Sequence, residues 1–412
     1  MTSALVSAFR NEVSKSKDIR VSKEAEFDVA YPTGFLGFDF ANGVKVRVQN
    51  AELDYDFYYN SVGIVDGTMV SCVGRAGCGK TTWVLQTAGN IVRGFENAAI
   101  FHEDIEGGSS SMRIRQLLNM GEEEFKGKYV RRNTGINTDN FYERIKYIHD
   151  EKIANRAVYE YDTGLMDPDG NHIFKLQPTV VILDSLAMLT PAELTGEQAA
   201  ELSGSMAATS IAKLNTQLIK RIIPMLKVAN IIFFVINHLL PDPSIMPKKA
   251  QVAWLKQGER CPGGETAIYL ANNLLRFNDG SKLKAEKDGI NGIKVGIQLI
   301  KSRTSDPGRE IPLILDYEIG FDPELSLFEH IKELGAVKGA GAYLYFDGHE
   351  DKKFSAKKLK EKLATEPEFM QIFAEVALKY LDESLKYKQL SSGNNLSSAD
   401  IMINMMRSQI AA

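Results

Sequence analysis

Four short apolar segments without polar alternation recur along the chain, and stretches with a helical pattern separate them. They are Met69–Val73, Ala98–His102, Val180–Asp184 and Ile231–Ile236. Strands that are apolar at every position and are separated by helices are typical of a parallel sheet covered on both faces. The pattern therefore predicts an α/β core built on a mostly parallel, twisted sheet.

Three later apolar stretches are shorter and are joined by tighter loops. They lie near Leu274–Phe277, Ile293–Leu299 and Glu310–Leu315. Tight connections favour antiparallel neighbours, since parallel strands need a long crossover. We expect these strands to extend the sheet at one edge with antiparallel pairing.

Other segments look like attachments to the core. Residues 155–179 contain the turn sequence Asp167-Pro-Asp-Gly170, which predicts a hairpin inserted before the third strand. The polar N-terminal residues have a weak helical pattern and are expected to form a flexible arm. The Lys- and Glu-rich C-terminal part has mostly helical patterns and a strand candidate at Ala342–Phe346, so a small α+β domain with a tail is expected. The predicted arm, core and C-terminal part are residues 1–33, 34–330 and 331–412.

Composition and charge exclude few classes of function. The 412 residues carry a net charge of −4, so nothing in the overall charge attracts nucleic acid or an acidic membrane. The cysteines Cys72, Cys78 and Cys261 have no paired spacing, which argues against a disulfide framework or a zinc site. The apolar run Ile231–Ile236 is far too short to span a bilayer. We expect a soluble protein of the cytoplasm.

The sequence Gly-Arg-Ala-Gly-Cys-Gly-Lys-Thr at Gly74–Thr81 matches the phosphate-loop motif completely. A predicted strand precedes it and a helix is expected to begin near Thr81. Lys80 would place its charge on the β- and γ-phosphates of ATP, and the Thr81 hydroxyl would coordinate Mg²⁺. The residues predicted to bind the nucleotide are Gly74, Arg75, Ala76, Gly77, Cys78, Gly79, Lys80, Thr81 and Thr82.

Polar residues also follow the other core strands, at the sheet edge where α/β proteins bind ligands. Asp184 would hold the Mg²⁺ ion through water. Glu103 or Glu106 could orient and deprotonate the water that attacks the γ-phosphate, and spacing alone does not choose between them. Asn237 could sense the γ-phosphate through its amide.

In this order the motifs resemble those of RecA-family recombinases, and especially the phage RecA-like recombinases of the UvsX type. Asp184-Ser-Leu-Ala-Met-Leu-Thr-Pro resembles the family's second nucleotide motif. Asp104-Ile-Glu106-Gly resembles the segment with the catalytic glutamate, which favours Glu106. Asn237-His238 resembles the switch pair. Lys301-Ser-Arg303 resembles a basic pair that reaches the ATP of the neighbouring subunit, so the resemblance implies that Lys301 and Arg303 act in catalysis together with Lys80 and Glu106.

The resemblance covers roughly Tyr31 to Leu381 and has two departures. The interval from Phe101 to Glu106 is one residue longer than in the family. Arg113 stands where the family often has a tyrosine that stacks on adenine. A guanidinium can also stack on a base, so Arg113 is a candidate for that contact.

Two loops follow strand ends and correspond to the DNA-contacting loops of the family. The first loop, Pro191–Ser205, carries no basic residue. The second loop, Leu239–Gly264, is long enough to be either functional or disordered. The resemblance assigns it DNA contacts through Lys248, Lys249, Lys256, Gly263 and Gly264.

The helix predicted at Met206–Val228 lies between the two loops. Lys213, Thr216 and Lys220 share one face of it, at spacings of three and four residues. By itself this spacing is typical of an ordinary solvated stripe. The resemblance favours a track for DNA phosphates.

The resemblance implies an ATP- and Mg²⁺-dependent recombination protein that forms a helical filament on single-stranded DNA and exchanges strands with a homologous duplex. Single-strand-binding and mediator proteins are possible partners. A hexameric DNA helicase of the same ATPase superfamily is the alternative enzyme. A recombination mediator that binds ATP but hydrolyses it poorly is a further alternative.

Overall fold

The computed structural model describes residues 28–50, 54–191, 204–241, 254–263, 266–284, 290–340 and 343–391. Most of the predicted N-terminal arm, most of the first loop and the end of the predicted tail lie outside the described residues. So do Lys248, Lys249 and Gly264 of the predicted DNA contacts. Within the described part of the chain, no helix is long and apolar enough to cross a membrane.

Strands and α-helices alternate through the middle of the chain. The strands are β1 (Ala30–Tyr31), β2 (Val44–Asn50), β3 (Tyr55–Ser61), β4 (Ile64–Val65), β5 (Met69–Gly74), β6 (Ala99–Asp104), β7 (Tyr129–Arg132), β8 (Glu160–Met166), β9 (His172–Leu176), β10 (Thr179–Asp184), β11 (Ile231–His238), β12 (Leu240–Pro241), β13 (Glu259–Arg260), β14 (Asn273–Phe277), β15 (Ser281–Leu283), β16 (Gly292–Ser302), β17 (Glu310–Asp316), β18 (Gly320–Asp322), β19 (Val337–Ala340), β20 (Tyr343–Phe346) and β21 (Lys386–Ser391). The α-helices are α1 (Leu36–Ala41), α2 (Lys80–Val92), α3 (Ser111–Leu118), α4 (Glu122–Lys128), α5 (Thr138–Ala154), α6 (Arg156–Tyr159), α7 (Gly204–Ala229), α8 (Thr266–Tyr269), α9 (Pro323–Glu333), α10 (Leu359–Thr365) and α11 (Pro367–Glu383).

The central sheet has the strand order β18-β17-β16-β14-β5-β11-β10-β6-β7, with β15 beside β16. The strands from β14 to β7 pair in parallel. The strands β16, β17 and β18 pair antiparallel. Helix α2 packs on one face of this sheet, and helices α5 and α7 pack on the other. The predicted α/β fold class with a mostly parallel sheet is confirmed.

The three later strands extend the sheet at one edge, and antiparallel pairing links β14 to β16 and β16 to β17, as predicted. Strand β14 runs parallel to β5, and antiparallel pairing begins only between β14 and β16. The chain leaves β11, passes through the second loop and α8, and enters β14 on the far side of β5. A long crossover of this kind brings the chain back in the same direction, which makes the new strand parallel.

Large aromatic side chains fill both faces of the sheet. Trp83 of α2 is completely buried on one face. Phe38 and Phe277 pack edge-on against it, with ring centroids 5.0 and 5.8 Å away. On the other face, Phe141 of α5 lies 5.6 Å from Phe233 of β11. Because the parallel strands are buried on both sides, their carboxyl ends form a fixed platform for the residues that follow them.

Within the described residues, five small sheets lie outside the central one, and two of them involve segments inserted in or attached to the core. Strands β8 and β9 form the hairpin predicted for residues 155–179, and its turn is closed by the Gly170 N–H, which donates 3.0 Å to the Asp167 carbonyl. Strands β21, β2 and β3 form a three-stranded sheet in that order, which the sequence did not predict. In it, β21 pairs parallel to β2. The part of the chain after the core thus returns to the segment before the phosphate loop.

The C-terminal part packs around its own apolar cluster. Phe346 of β20 lies 5.5 Å from Phe369 and 5.6 Å from Phe373, both on α11. The strand candidate at Ala342–Phe346 corresponds to β20. Helix α9 continues across residue 331, the predicted domain boundary, and contributes to the same cluster. The division into core and C-terminal domain stays a prediction.

Candidate nucleotide-binding site

The phosphate loop lies between β5 and α2, as the sequence predicts. Strand β5 ends at Gly74 and helix α2 begins at Lys80. Gly77 and Gly79 have φ values of +77° and +86°, in the left-handed region that favours glycine. A Cβ atom at Gly79 would also lie 2.7 Å from the Phe321 ring. These glycines let the loop turn tightly so that backbone N–H groups at the start of α2 can face a phosphate.

The Lys80 ammonium lies buried over this loop. Its Nζ donates to the carbonyl oxygens of Gly74 at 3.0 Å and Arg75 at 2.8 Å, and it lies 3.3 Å from Nδ1 of His238. The two carbonyl acceptors are neutral. An anionic phosphate oxygen would be a stronger partner for the same ammonium, because charge-assisted hydrogen bonds are stronger than neutral ones.

Asp184 ends β10 beside the first turn of α2. The Thr81 hydroxyl donates 2.6 Å to Asp184 Oδ2, while Oδ1 is buried without a hydrogen-bond partner. Burial, followed by the charges of Glu106 and Asp104, raises the pKa of Asp184 to about 6, although the Thr81 hydrogen bond opposes this shift. A hydroxyl and an incompletely satisfied carboxylate are oxygen ligands of the kind that Mg²⁺ prefers. The residues present therefore fit the predicted ion.

The two candidate glutamates point to opposite faces of the sheet. Glu103 is buried beside α5, where Arg144 Nε lies 3.0 Å from its Oε1 as a charge contact rather than a well-directed hydrogen bond. Burial raises the pKa of Glu103, against the pull of Arg144. Glu106 lies at the phosphate-loop edge, and ligand atoms of Glu106, Asp184 and His238 fall within 4.8 Å of one another. Of the two glutamates, Glu106 is the one that lies beside Asp184 and His238.

The turn that carries Glu106 is held from both sides. Asp104 Oδ1 accepts a 2.8 Å hydrogen bond from the Gly107 N–H, and Arg131 Nε donates 2.9 Å to Asp104 Oδ2. The Ile105 N–H donates 2.8 Å to the Asp184 carbonyl. These contacts fix the backbone on either side of Glu106 against the end of β10.

Asn237 and His238 face different parts of the molecule. Asn237 Nδ2 donates 2.5 Å to the Pro262 carbonyl, at the end of the second loop, and lies 3.3 Å from Cys261 Sγ. His238 instead lies between Lys80 and Glu106, with Nε2 2.8 Å from Glu106 Oε1. Because an ammonium can only donate, His238 Nδ1 accepts from Lys80, and Nε2 carries the hydrogen that Glu106 accepts.

His238 was not among the predicted nucleotide-contacting residues, whereas Asn237 was. Successive residues of a strand point to opposite sides, so only one member of the pair can face the phosphate loop. That alternation was the available signal, but the sequence alone does not say which member faces the loop. In the described structure it is the side chain of His238.

Lys301 and Arg303 lie at the other end of the same strands. Lys301 pairs with Leu274, which pairs with Ser71, and the Arg303 N–H donates 3.1 Å to the Asn272 carbonyl, one residue before β14 begins. Along β5, Gly74 lies three positions after Ser71, which is about 10 Å of strand. The Lys301 ammonium donates 2.5 Å to the Tyr269 carbonyl. The structure therefore does not bring this basic pair to the phosphate loop of its own chain.

Of the predicted DNA-contacting residues that the structure describes, some are exposed and others make contacts within the protein. Lys213 and Lys220 of α7 are exposed, as is Lys256 of the second loop. Thr216 is half-buried, and its Oγ1 lies 2.7 Å from Thr266 Oγ1 of α8. The Gly263 carbonyl accepts a 3.3 Å hydrogen bond from Asn215 Nδ2. Two lysines of the α7 face are thus open to a ligand, while Thr216 packs against the next helix.

The second loop has a fixed base that the sequence did not predict. Strands β12 and β13 pair antiparallel, with Leu240 opposite Arg260, and so close the ends of the loop on each other. Glu259 of β13 is buried against Arg276 of β14, with Nη2 2.8 and 3.0 Å from its two carboxylate oxygens. Although burial opposes ionisation, the Lys256 N–H and Arg276 hold the pKa of Glu259 below its ordinary value.

Arg113, the candidate for base stacking, lies beside the turn between β17 and β18. Its Nη1 donates to Gln116 Oε1 at 2.8 Å and to the Glu318 carbonyl, and its Nη2 lies 3.4 Å from the Tyr317 carbonyl. These contacts hold the guanidinium against the turn that precedes Phe321, the residue whose ring lies against Gly79 of the phosphate loop.

Comparisons with known proteins agree with the motifs. No family model matches the sequence. The plasmid RecA protein of Lactococcus lactis subsp. lactis is 21% identical over 328 residues, which are 80% of this chain and 77% of that protein. The RecA protein of Acidothermus cellulolyticus is 22% identical over 342 residues, 82% of this chain and 80% of that protein. The chain is similar to RecA proteins along most of its length.

Two further comparisons cover less of the chain. The RecA protein of Thermus aquaticus is 25% identical over 212 residues, half of this chain and 56% of that protein. Among solved structures, that of the RadB recombinase overlaps 63% of this chain and 92% of its own, with 18% identity and a TM-score of 0.38. The sequence relatives support the resemblance to RecA-family recombinases and, with it, nucleotide binding and a role in recombination.

Proposed function

We propose that the protein is a DNA-dependent ATPase that assembles as a helical filament on single-stranded DNA and exchanges strands with a homologous duplex. The observation that carries the proposal is that the residues we propose as one catalytic set lie at two opposite ends of the parallel strands of the central sheet. One end of the parallel strands carries Lys80, Asp184 and Glu106, and the opposite end carries Lys301 and Arg303. A head-to-tail assembly would join the two halves, and such contacts repeat into a filament when the rotation does not close.

In this proposal the chain's own groups perform hydrolysis at the phosphate loop. Lys80 and the N-terminal end of α2 bind the β- and γ-phosphates of ATP. Thr81, and Asp184 through water, hold Mg²⁺, which would neutralise charge on the phosphate oxygens. Glu106 orients the attacking water and accepts its proton as the new bond to the γ-phosphorus forms. The bond from the γ-phosphorus to the bridging oxygen breaks in the same step, and ADP leaves with that oxygen. The contacts of Asp104 and Ile105 described above keep Glu106 at this place.

The neighbouring chain completes the site. Lys301 and Arg303 would lie against the phosphates of the next subunit and stabilise the charge that develops during transfer. Hydrolysis and release of phosphate remove the anion to which this pair is attracted, so the contact between the chains weakens. ATP would thus favour assembly, and hydrolysis would favour release of the DNA.

The γ-phosphate would also control the position of the second loop. His238 contacts Lys80 and Glu106, while the adjacent Asn237 is hydrogen-bonded to Pro262. A phosphate that displaces the contacts of His238 would move the end of β11 and, with it, the loop that we propose binds DNA. Lys213, Lys220 and Lys256 would contact DNA phosphates, and repetition along a filament would make these few contacts add up to tight binding.

Two finer assignments belong to the same proposal. The Asn237-His238 pair and Lys301-Ser-Arg303 are the motifs on which we infer a phage RecA-like, UvsX-type protein. Such a protein acts in the cytoplasm of a bacterium or of a phage-infected host cell, where single-strand-binding and mediator proteins are its natural partners.

The decisive experiment combines three measurements on the unsubstituted protein with single-stranded DNA. ATP hydrolysis should increase on addition of DNA, electron microscopy with an unhydrolysable ATP analogue should show helical filaments, and a homologous duplex should exchange strands. Closed rings that unwind a forked duplex would instead identify a helicase. ATP binding without DNA-stimulated hydrolysis would contradict the proposal and favour a mediator.

A further inference from the structure

The side chain of Glu259 is held by groups from three separate segments. Arg276 of β14 lies 2.8 and 3.0 Å from its oxygens, and the Lys256 N–H donates 2.9 Å to its Oε2. Arg75 of the phosphate loop approaches its Oε1 to 3.6 Å through Nη2. One carboxylate therefore joins a core strand, the base of the second loop and the phosphate loop.

The contact with Arg276 is the rigid part of this arrangement. Both side chains are only 4% exposed. The remaining nitrogens of the guanidinium are also used, since Nη1 donates 2.6 Å to the Trp254 carbonyl and Nε donates 3.2 Å to Asn278 Oδ1. A buried charge pair whose hydrogen bonds are satisfied is hard to separate, because either partner alone would remain uncompensated in the interior. Arg276 therefore fixes Glu259 to the sheet.

The contact with Arg75 is the movable part. The Arg75 side chain is 58% exposed, and it divides its charge between Glu259 and Asp279, whose Oδ2 is 3.3 Å away. Exposed ion pairs of this kind contribute little to stability. A polyphosphate bound in the loop that contains Arg75 would attract the guanidinium strongly, because charges in a partly buried site are poorly screened.

The contact with Lys256 links Glu259 to the second loop. The Glu259 N–H donates 3.1 Å to the Lys256 carbonyl, which closes a turn, and Gly258 within it has a φ of +80°. The side chain of Glu259 accepts from the other end of that turn. Lys256 is exposed and is one of the proposed DNA contacts. The position of this lysine thus depends on the charge environment of Glu259.

We propose that Glu259 is a positioning residue that transmits occupancy of the phosphate loop, through Arg75, to the turn that carries Lys256. This inference rests on the proposed nucleotide site but not on the proposed action on DNA. When bound phosphates draw Arg75 away, Glu259 loses one of its cationic partners but keeps Arg276 and the Lys256 N–H. The turn between Lys256 and Glu259 then changes its position. The route uses contacts different from those of Asn237, which is hydrogen-bonded to the Pro262 carbonyl, two residues after β13.

Trp254 provides a direct readout. The chain has two tryptophans, Trp83 in the core and Trp254, which lies half-buried at the loop base where its carbonyl accepts from Arg276. We would measure tryptophan emission without DNA, before and after saturation with Mg²⁺ and an unhydrolysable ATP analogue. Subtracting the same measurement on Trp254→Phe isolates the signal of Trp254. Equilibrium dialysis with labelled analogue would establish saturation for each variant.

Three variants test whether the emission change depends on the contact between Arg75 and Glu259 rather than on the overall fold. Glu259→Gln removes the shared charge, and Asp279→Asn is the matched control, because it removes the other carboxylate beside Arg75 without touching the second loop. Arg75→Gln tests the same route and leaves the buried Glu259–Arg276 pair intact. The emission change of Trp254 should persist in Asp279→Asn and be largely lost in both Glu259→Gln and Arg75→Gln at saturation.

The results distinguish this inference from the proposed function. A full emission change in Glu259→Gln and Arg75→Gln would overturn the inference, as would a nucleotide-bound unsubstituted protein whose Trp254 emission does not change. Dialysis that detects no nucleotide binding by the unsubstituted protein would overturn the proposed function, and the inference with it. Failure of Glu259→Gln to fold leaves the decision to Arg75→Gln.

Discussion

The hydroxyl of Thr81 donates a 2.6 Å hydrogen bond to Asp184, and so joins the helix after the phosphate loop to the end of strand β10. Both groups would serve the same Mg²⁺ ion, with Asp184 acting through water. Asp184→Asn should weaken the affinity for nucleotide in the presence of Mg²⁺ by about 10- to 100-fold, the cost typical of an outer-shell partner of a metal. Titration with labelled ATP, with and without Mg²⁺, measures this effect.

The control for Asp184 is Thr81→Ser, which keeps the hydroxyl and should retain most of the affinity. Nucleotide binding in excess chelator should be nearly the same for Asp184→Asn and the unsubstituted protein. An equal loss with and without Mg²⁺ would show that Asp184 acts on the fold of the loop rather than on the ion.

Glu106→Gln should lower kcat for ATP hydrolysis by about 10²- to 10⁴-fold, the usual contribution of a general base. Its amide still accepts a hydrogen bond from His238, so the affinity for ATP should change little. Glu103→Gln is the matched control because Glu103 lies on the opposite face of the sheet, beside Arg144. Steady-state hydrolysis with DNA would reveal a misassignment if Glu103→Gln lost kcat and Glu106→Gln did not.

Lys301 should act on the nucleotide of a neighbouring chain. Lys80→Ala and Lys301→Ala should each be inactive, whereas an equal mixture should recover about a quarter of the activity, because a random head-to-tail interface combines the intact halves with that frequency. Hydrolysis rates of the mixture against the separate variants test this.

The mixing experiment has an internal control. The double variant Lys80→Ala with Lys301→Ala has no intact half to offer, so its mixture with Lys80→Ala should stay inactive. A mixture of the two single variants without recovery, although both still assemble, would mean that Lys301 does not act in the adjacent site.

Lys213 and Lys220 should contribute electrostatic contacts to single-stranded DNA. Replacing both with alanine should reduce the slope of log affinity against log salt concentration by roughly 1.4, since each phosphate contact accounts for about 0.7 on a single strand. Fluorescence anisotropy at several salt concentrations measures the slope. Lys146→Ala removes an exposed lysine on α5 that pairs with Asp150, and should leave the slope unchanged.

Asp39 should make stability depend on pH. Its carboxylate is completely buried and accepts 2.9 and 2.6 Å hydrogen bonds from the N–H and hydroxyl of Thr33, and burial raises its pKa to about 7. The folded protein therefore holds a proton that the unfolded chain releases at lower pH, so the free energy of unfolding should fall as pH rises. The loss from this group is on the order of 3 kcal/mol between about pH 5 and pH 8.

Urea unfolding across that pH range, compared between the unsubstituted protein and Asp39→Asn, isolates the effect. The asparagine variant should show a flatter dependence on pH. Asp56→Asn is the control, because the Arg47 hydrogen bond lowers the pKa of this exposed carboxylate and places its titration below the range. Equal slopes for Asp39→Asn and the unsubstituted protein would contradict the prediction.

The sequence predicted those parts of the fold and site that depend on local patterns. The apolar runs gave the core strands within one or two residues at most ends, and the motif at Gly74–Thr81 gave the strand, loop and helix in their correct order. The parallel pairing of β14 with β5 was not predicted, because a long crossover cannot be recognised without knowing where the chain crosses the sheet. The orientation of Asn237 and His238 was missed for a related reason, since it depends on the twist and pairing of β11.

Contacts between distant segments left no sequence signal. Glu259 and Arg276 are two charged residues among many, and nothing in their spacing marks them as a buried pair. Strand β2 reads as a short alternating strand, but its parallel partner β21 lies after the entire core. Pairing of this kind is decided by packing and not by local preference.

The pairing of β2 with β21 also limits the order in which the protein can fold. During synthesis β2 emerges early and can form only its hairpin with β3, while the core sheet assembles behind it. The third strand becomes available after α11 has left the ribosome. The small sheet is therefore a late contact of high sequence separation, and such contacts form slowly because a long loop must be closed first. A nascent chain stalled before Lys386 would present the free edge of β2 to any other strand within reach.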